Sequence, residues 1–236
     1  MSDSHHNAFF HAAEKVDAPV LHRRPTLGEE VYETLLAQLI ALKIAPGSKI
    51  AVDALVREMG VSQTPIRAAL IRLENEGLVI KTHNVGYSAA PMPSRERFEQ
   101  MYELRLLLEP AAAKRTAEKL SAEVRAELIM LDEAMAAPGS ADEKRAYSQF
   151  ALADAKFHNL IASSNPLVAE ALARSYAHMH LFRLHYHAVV TDGAVQEHAV
   201  ILKEIIVGNG RAAKKAMEHH LVRSLERWRP FFEATG

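Results

Sequence analysis

Apolar residues in the first third of the chain recur at intervals of three and four. From Thr26 onward, Val31, Leu35, Leu39 and Leu42 form one stripe of an amphipathic helix. Thr26, with Glu29 three residues later, is a capping-box start. The breaker run APGSK at 45–49 ends the pattern. A short helix is expected near 52–59, closed by Gly60 in the left-handed conformation. A third helix has Thr64 as its N-cap, Pro65 as its first residue and Gly77 just past its end. Within it, Ile66, Ala69, Leu70 and Leu73 fall at i, i+3, i+4 and i+7 and mark the buried face. Two β-like runs, LVIKTH at 78–83 and GYSAA at 86–90, flank a turn at His83, Asn84 and Gly86. Helix, short helix, helix after a tight turn, then hairpin is the order of a winged helix-turn-helix.

The pattern changes at PMPS, residues 91–94. Two prolines cannot continue a helix, and Ser94 can cap the next one. Beyond it the helical period runs nearly to the end, predicting helices near 94–118, 121–136, 141–164, 166–189, 193–208 and 210–233. Pro110 should kink the first of these. The expected fold class is therefore mainly α: a winged helix-turn-helix with a small β wing, then an all-α bundle. The expected division is a polar, His-bearing arm at 1–25, a DNA-reading domain at 26–90, a linker at 91–94 and a helical domain at 95–236.

Composition narrows the function classes. Half of the 236 residues are hydrophobic (49%), enough for two cores. No cysteine is present, which excludes a disulfide scaffold and thiolate metal sites and fits a cytoplasmic protein. No apolar run approaches the ~20 residues of a membrane span, and the N-terminus lacks the pattern of a secretory signal. The net charge is −1, and residues 26–90 carry six Lys/Arg against seven Asp/Glu. Phosphate neutralisation drives non-specific DNA affinity, so any positive footprint must be local, from Arg23, Arg24, Arg67, Arg72 and Lys81.

The candidate chemistry lies in the helical half. Asp154 and His158 stand four apart in ADAKFHNLI and share a helix face. His198 and His220 lie in two further helical stretches. A carboxylate and three imidazoles brought together from three helices would hold a divalent metal and leave positions open. Arg105 and Glu109 form an i, i+4 pair with two readings: a helix-surface ion pair worth about 0.3–0.5 kcal/mol, or an Arg105 that points inward and forks onto a ligand carboxylate. Arg183, in the His-rich stretch YAHMHLFRLHYH, is a second candidate carboxylate contact.

PGSKI…ALVREMGVSQTPIRAALIRLENEGLV is similar to the N-terminal module of GntR-family regulators. YELRLLLEPAAAKRTAEKL, ADAKFHNLIASSNP, EHAVILKEI and AMEHHL resemble the helical effector domain of the family's FadR-like, or FCD, branch. The resemblance spans about residues 26–233. It implies a homodimer that binds an inverted-repeat operator in double-stranded DNA and responds to a small organic acid. Asp154, His158, His198 and His220 match the branch's metal-binding pattern, which also selects His220 over its neighbour His219. Such a ligand set suits zinc, with nickel or manganese as alternatives. The resemblance also favours Arg105 as an effector contact.

On the DNA side, Ser62, Thr64 and Arg67 match the family's polar positions and Gly86 its wing glycine. Gln63 stands where the family usually has Arg. Gln bridges adenine N6 and N7, whereas Arg prefers guanine O6 and N7, so an altered operator is expected. An Arg that some members use early in the second helix falls near Asp53 and is not carried over. Arg67, one turn into the third helix, is placed to meet a base edge or a phosphate. The rival reading is a metal-dependent hydrolase or lyase that uses the Asp/His3 set to activate water. It lacks an H-E-x-x-H motif and leaves residues 26–90 unexplained.

Overall fold

The computed structural model describes residues 26–137, 143–175 and 191–233. Helix α1 (Leu27–Ile40) opens with the expected capping box: Thr26 N donates to Glu29 Oε2 at 2.6 Å, and Glu29 N donates to Thr26 Oγ1 at 3.3 Å. Its buried stripe is wider than predicted and includes Tyr32, Leu36 and Ile40 with Val31, Leu35 and Leu39. Leu42 is not on it. The helix stops before the APGSK breaker, and Leu42 takes a φ of 54°, a left-handed conformation rare for a branched side chain. Strand β1 (Lys49–Ile50) and helix α2 (Val52–Met59) follow, with Gly60 left-handed at φ 66°.

Helix α3 (Gln63–Asn75) begins earlier than expected. Its N-cap is Ser62, not Thr64, so Pro65 is the third helical residue. Proline is tolerated there because first-turn N–H groups have no intrahelical partner. Ile66, Ala69, Leu70 and Leu73 are buried as predicted. The helix ends in a Schellman motif: Leu78 N donates to Leu73 O at 2.9 Å and Gly77 N to Glu74 O at 3.0 Å. Gly77 has φ 71°, where a Cβ would be strained. Strands β2 (Val79–Thr82) and β3 (Gly86–Ala89) form the wing, and β1 pairs on the other side of β3, giving the antiparallel order β1-β3-β2.

The remaining described elements are helices: α4 (Arg95–Glu118), α5 (Ala122–Ala136), α6 (Glu143–Ala162), α7 (Pro166–Ser175), α8 (Thr191–Ile206) and α9 (Gly210–Glu233). Ser94 and Ser121 cap α4 and α5 by accepting from Arg97 N and Val124 N, each at 3.2 Å. Helix α4 continues through Pro110. It lies along α9 and also packs against α6, α7 and α8. Helix α1 meets α6, where Ser148 Oγ donates to Ala37 O at 3.3 Å. One apolar core runs from Val31 and Leu35 to Ile201 and Leu221. A smaller one joins Phe98, Met101, Tyr102 and Trp228, with Met92 of the PMPS segment against it. The expected class, mainly α with a β wing followed by a helical bundle, is the one observed.

Candidate metal centre and DNA-reading surface

The four predicted ligands converge in the helical half. Asp154 and His158 come from one face of α6, His198 from α8 and His220 from α9, and all four are buried. One nitrogen from each of the three imidazoles lies within 4.8 Å of the others. His158 Nε2 is 3.2 Å from His198 Nε2, and Asp154 Oδ1 is 3.3 Å from His198 Nε2 and 3.8 Å from His158 Nε2. Two ligands each ~2.1 Å from one ion stand roughly 3.0–3.4 Å apart; the His158–His198 and Asp154–His198 separations lie in that range, and Asp154–His158 is wider. His219, one residue from His220, is more exposed, as a 100° turn along a helix demands.

A second ring of charge holds the imidazoles. His158 Nδ1 is 2.6 Å from Glu109 Oε2, and His220 Nδ1 is 2.8 Å from Glu197 Oε2. Each carboxylate therefore turns the other nitrogen of its imidazole toward the cluster, the arrangement that fixes a metal-binding tautomer. Each is itself held by an arginine. Arg105 donates to Glu109 through Nε at 2.6 Å and Nη2 at 3.4 Å. Arg227 clamps both oxygens of Glu197 at 2.6 and 2.7 Å. Burial disfavours the Glu197 anion, but hydrogen bonds from Arg227 and His220 outweigh it and hold the carboxyl at about 2. Burial likewise opposes the charge on Arg105, and Glu109 beside it keeps the guanidinium above its ordinary value. His198 is held well below the usual imidazole range by burial and by His220. Its Nδ1 is buried with no hydrogen-bond partner among the described residues. A neutral imidazole keeps a lone pair on one ring nitrogen, and Nε2 is the nitrogen that faces His158 and Asp154.

The surface reading of the Arg105–Glu109 pair is corrected: the side chains are 3% and 1% exposed. The signal was present in the sequence. Tyr102, Arg105, Glu109, Ala112, Ala113 and Thr116 share the buried stripe of α4, so both charges were on the inward face. Arg105 also lies over the Tyr102 ring at 5.4 Å. Tyr102 Oη meets Ser224 Oγ at 2.7 Å, and Trp228 Nε1 donates to the same oxygen at 3.2 Å. Sequence reasoning missed Glu197 and Arg227; only the adjacency of Glu197 to His198 hinted at the former. Arg183 lies outside the described residues.

The DNA-side candidates lie on α3 and on the wing. Ser62, Gln63, Thr64 and Arg67 occupy the first turns of α3, all exposed. Gln63 Nε2 donates to Asp53 Oδ1 at 2.8 Å, and Arg67 Nη2 and Nε donate to Gln63 Oε1 at 3.1 and 3.4 Å. Gly86 opens β3 at the wing tip with φ 108°, and no atom lies near the position a Cβ would take. Only a residue tolerant of positive φ fits that turn.

A three-stranded wing behind a helix-turn-helix, followed by a helical bundle enclosing a polar centre, is the architecture of a DNA-binding regulator. The sequence pattern of the bacterial regulatory proteins of the GntR family matches residues 27–88, and that of the FCD domain matches residues 100–223. The chain belongs to the GntR family of transcription regulators and carries an FCD domain. It is 28% identical to the HTH-type transcriptional regulator LutR of Bacillus subtilis over 213 residues, covering 81% of this chain and 96% of LutR. An HTH-type transcriptional regulator of Agrobacterium vitis is 33% identical over 119 residues, covering 50% of this chain and 68% of that one. The solved structure of Escherichia coli McbR/YncC superposes with a TM-score of 0.66 at 18% identity, covering 90% of this chain and 100% of the other, which speaks for the fold. No helix among the described residues is long and apolar enough to cross a membrane.

Proposed function

We propose that this transcription regulator adjusts its operator affinity to a small carboxylate bound in the helical half, at a divalent-metal site made by Asp154, His158, His198 and His220. Zinc is the preferred ion, with nickel or manganese as alternatives. The ion's part is that of a Lewis acid, taking an anionic oxygen at a position the four side chains leave open. The supporting observation is the charge balance around the buried cluster. Arg105 pairs with Glu109 and Arg227 with Glu197, while Asp154 stands against His198. With neutral imidazoles the pocket holds one net negative charge. A dication reverses that sign, and one carboxylate then restores neutrality, which burial favours.

Arg105 contributes the remaining N–H groups of a guanidinium whose Nε and Nη2 already serve Glu109. A carboxylate that reaches it tightens contacts on α4, the helix that begins directly after PMPS. Arg183 is kept as a second contact. The proposed division places DNA reading in residues 26–90, the linker at 91–94 and effector binding with dimerisation in 95–236. Ser62, Gln63, Thr64, Arg67 and Gly86 form the DNA surface, read as a homodimer on an inverted repeat in the cytoplasm. The chain acts by binding and not by turnover.

The test is calorimetry with a panel of organic acids on metal-loaded and metal-stripped protein, beside operator titrations with and without each acid. An acid that binds only the loaded protein and shifts operator affinity by about 1–3 kcal/mol is expected. A neutral effector, or an acid bound equally well after stripping, refutes the reading.

A further inference from the structure

The exposed contact between α2 and α3 has a consequence for base reading. Asp53 lies in the first turn of α2, Gln63 at the start of α3 and Arg67 one turn later. Gln63 is the middle of a chain of hydrogen bonds, giving its amide N–H to Asp53 at 2.8 Å and taking Arg67 Nη2 at 3.1 Å on its carbonyl. The orientation of the amide is forced by chemistry. A carboxylate can only accept and a guanidinium can only donate, so the amide nitrogen must face Asp53 and the oxygen must face Arg67.

Gln63 keeps one amide N–H, but its oxygen takes both Arg67 Nη2 and Nε and has no lone pair left. Bridging adenine needs the same two groups together, a donor to N7 and an acceptor from N6. Gln63 cannot do this while it holds Asp53 and Arg67. The guanidinium, by contrast, spends only its Nε and one Nη2 hydrogen on Gln63. Nη1 and the second Nη2 hydrogen remain as a parallel two-donor edge, the pattern that fits guanine O6 and N7. The i, i+4 spacing keeps Gln63 and Arg67 side by side, and the neighbouring helix supplies the anchor.

We propose that Asp53 is a specificity-determining residue of this regulator: it latches Gln63, Gln63 orients Arg67, and Arg67 reads guanine. The inference rests on α3 being the recognition helix. It replaces the adenine contact expected of Gln63 with a positioning role. It also gives the carboxylate a use on a surface that must approach phosphates: it sets the reading geometry at some expense of affinity.

The experiment is selection of binding sites from random DNA by the full-length protein and four variants, followed by competition titrations on the selected sites. Wild type should select guanine at the Arg67 position. Asp53→Ala should free Gln63, bring in adenine at the neighbouring step and reduce guanine discrimination about tenfold. Gln63→Ala should lose the same discrimination while keeping non-specific binding. Asp53→Asn keeps an oxygen acceptor for Gln63 and removes the charge, so the wild-type base preference should persist with tighter overall binding. Adenine selected by wild type and unaffected by Asp53→Ala overturns the proposal, as does guanine preference that survives Gln63→Ala. Arg67→Ala separates the two levels: an unchanged site and affinity in that variant removes α3 from base reading altogether, whereas loss of selectivity there, with Asp53→Ala silent, leaves the recognition helix standing and sinks only the latch.

Discussion

Glu109 offers the sharpest test of the buried centre. It is 1% exposed and serves two partners, the Arg105 guanidinium and His158 Nδ1. Glu109→Gln keeps the shape and removes the charge. Arg105, itself 3% exposed, is then left with no counterion in that contact. Breaking a buried pair from one side costs about 3–5 kcal/mol; because Gln can still accept one hydrogen bond, about 3 kcal/mol is expected here, the low end of that range. That is a factor of roughly 150 in the folded-to-unfolded ratio. Trp228, the chain's single tryptophan, is 4% exposed in the cluster beside Tyr102 and reports the transition by fluorescence. Urea titrations in chelator isolate the protein term from any metal term. The double variant Arg105→Met with Glu109→Met removes both charges and should recover most of the loss, since apolar residues of similar size often replace a buried pair at little cost. Glu109→Gln within 1 kcal/mol of wild type, with no recovery in the double variant, would refute the reasoning, because Arg105 would not then depend on Glu109. In metal-loaded protein the same substitution should weaken the ion's affinity ten- to a hundredfold, on the order of other outer-ring carboxylates.

Three further outcomes follow. Purified protein should hold about one divalent ion per chain by elemental analysis, and His158→Ala or His220→Ala should lose most of it; full retention in both rejects the assignment. Gly77→Ala should lower stability by about 1 kcal/mol in thermal melts, since φ 71° suits glycine, and a neutral result would mean the Schellman turn relaxes freely. Sedimentation should show a dimer that binds one inverted repeat, and half-sites bound independently by monomers would contradict the symmetry expected of the DNA surface.

What could be read in the sequence was whatever depends on local spacing. The Thr26–Glu29 box, the α3 stripe and the turn at Asn84 and Gly86 are decided within a few residues, and each stands where the pattern put it. Strand β1 was invisible because two residues carry no period; it exists through pairing with β3. The start of α3 slipped because Thr64-Pro65 is itself a good opening, and the chain instead begins helical geometry from Ser62. In the polar centre, the Asp154–His158 spacing announced one helix face. The partners Glu197 and Arg227 stand 30 residues apart and meet only because α8 and α9 pack. The i, i+4 spacing of Arg105 and Glu109 left a surface pair and an inward pair both open, and the buried stripe of α4 around them decides for the inward one.

The apolar core that runs unbroken from Leu35 in α1 to Leu221 in α9 has a thermodynamic consequence. Two halves with separate interiors would melt independently, and a ligand would protect only the half it touches. A shared interior couples the two halves, so a single melting transition is the outcome expected in calorimetry. Whatever binds the folded helical half then raises the midpoint of the reading half by the same mass-action term. Saturation at a hundred times the dissociation constant would lift both by about 2.7 kcal/mol. The abundance of folded, DNA-competent protein would thus follow occupancy of a centre buried in the helical half.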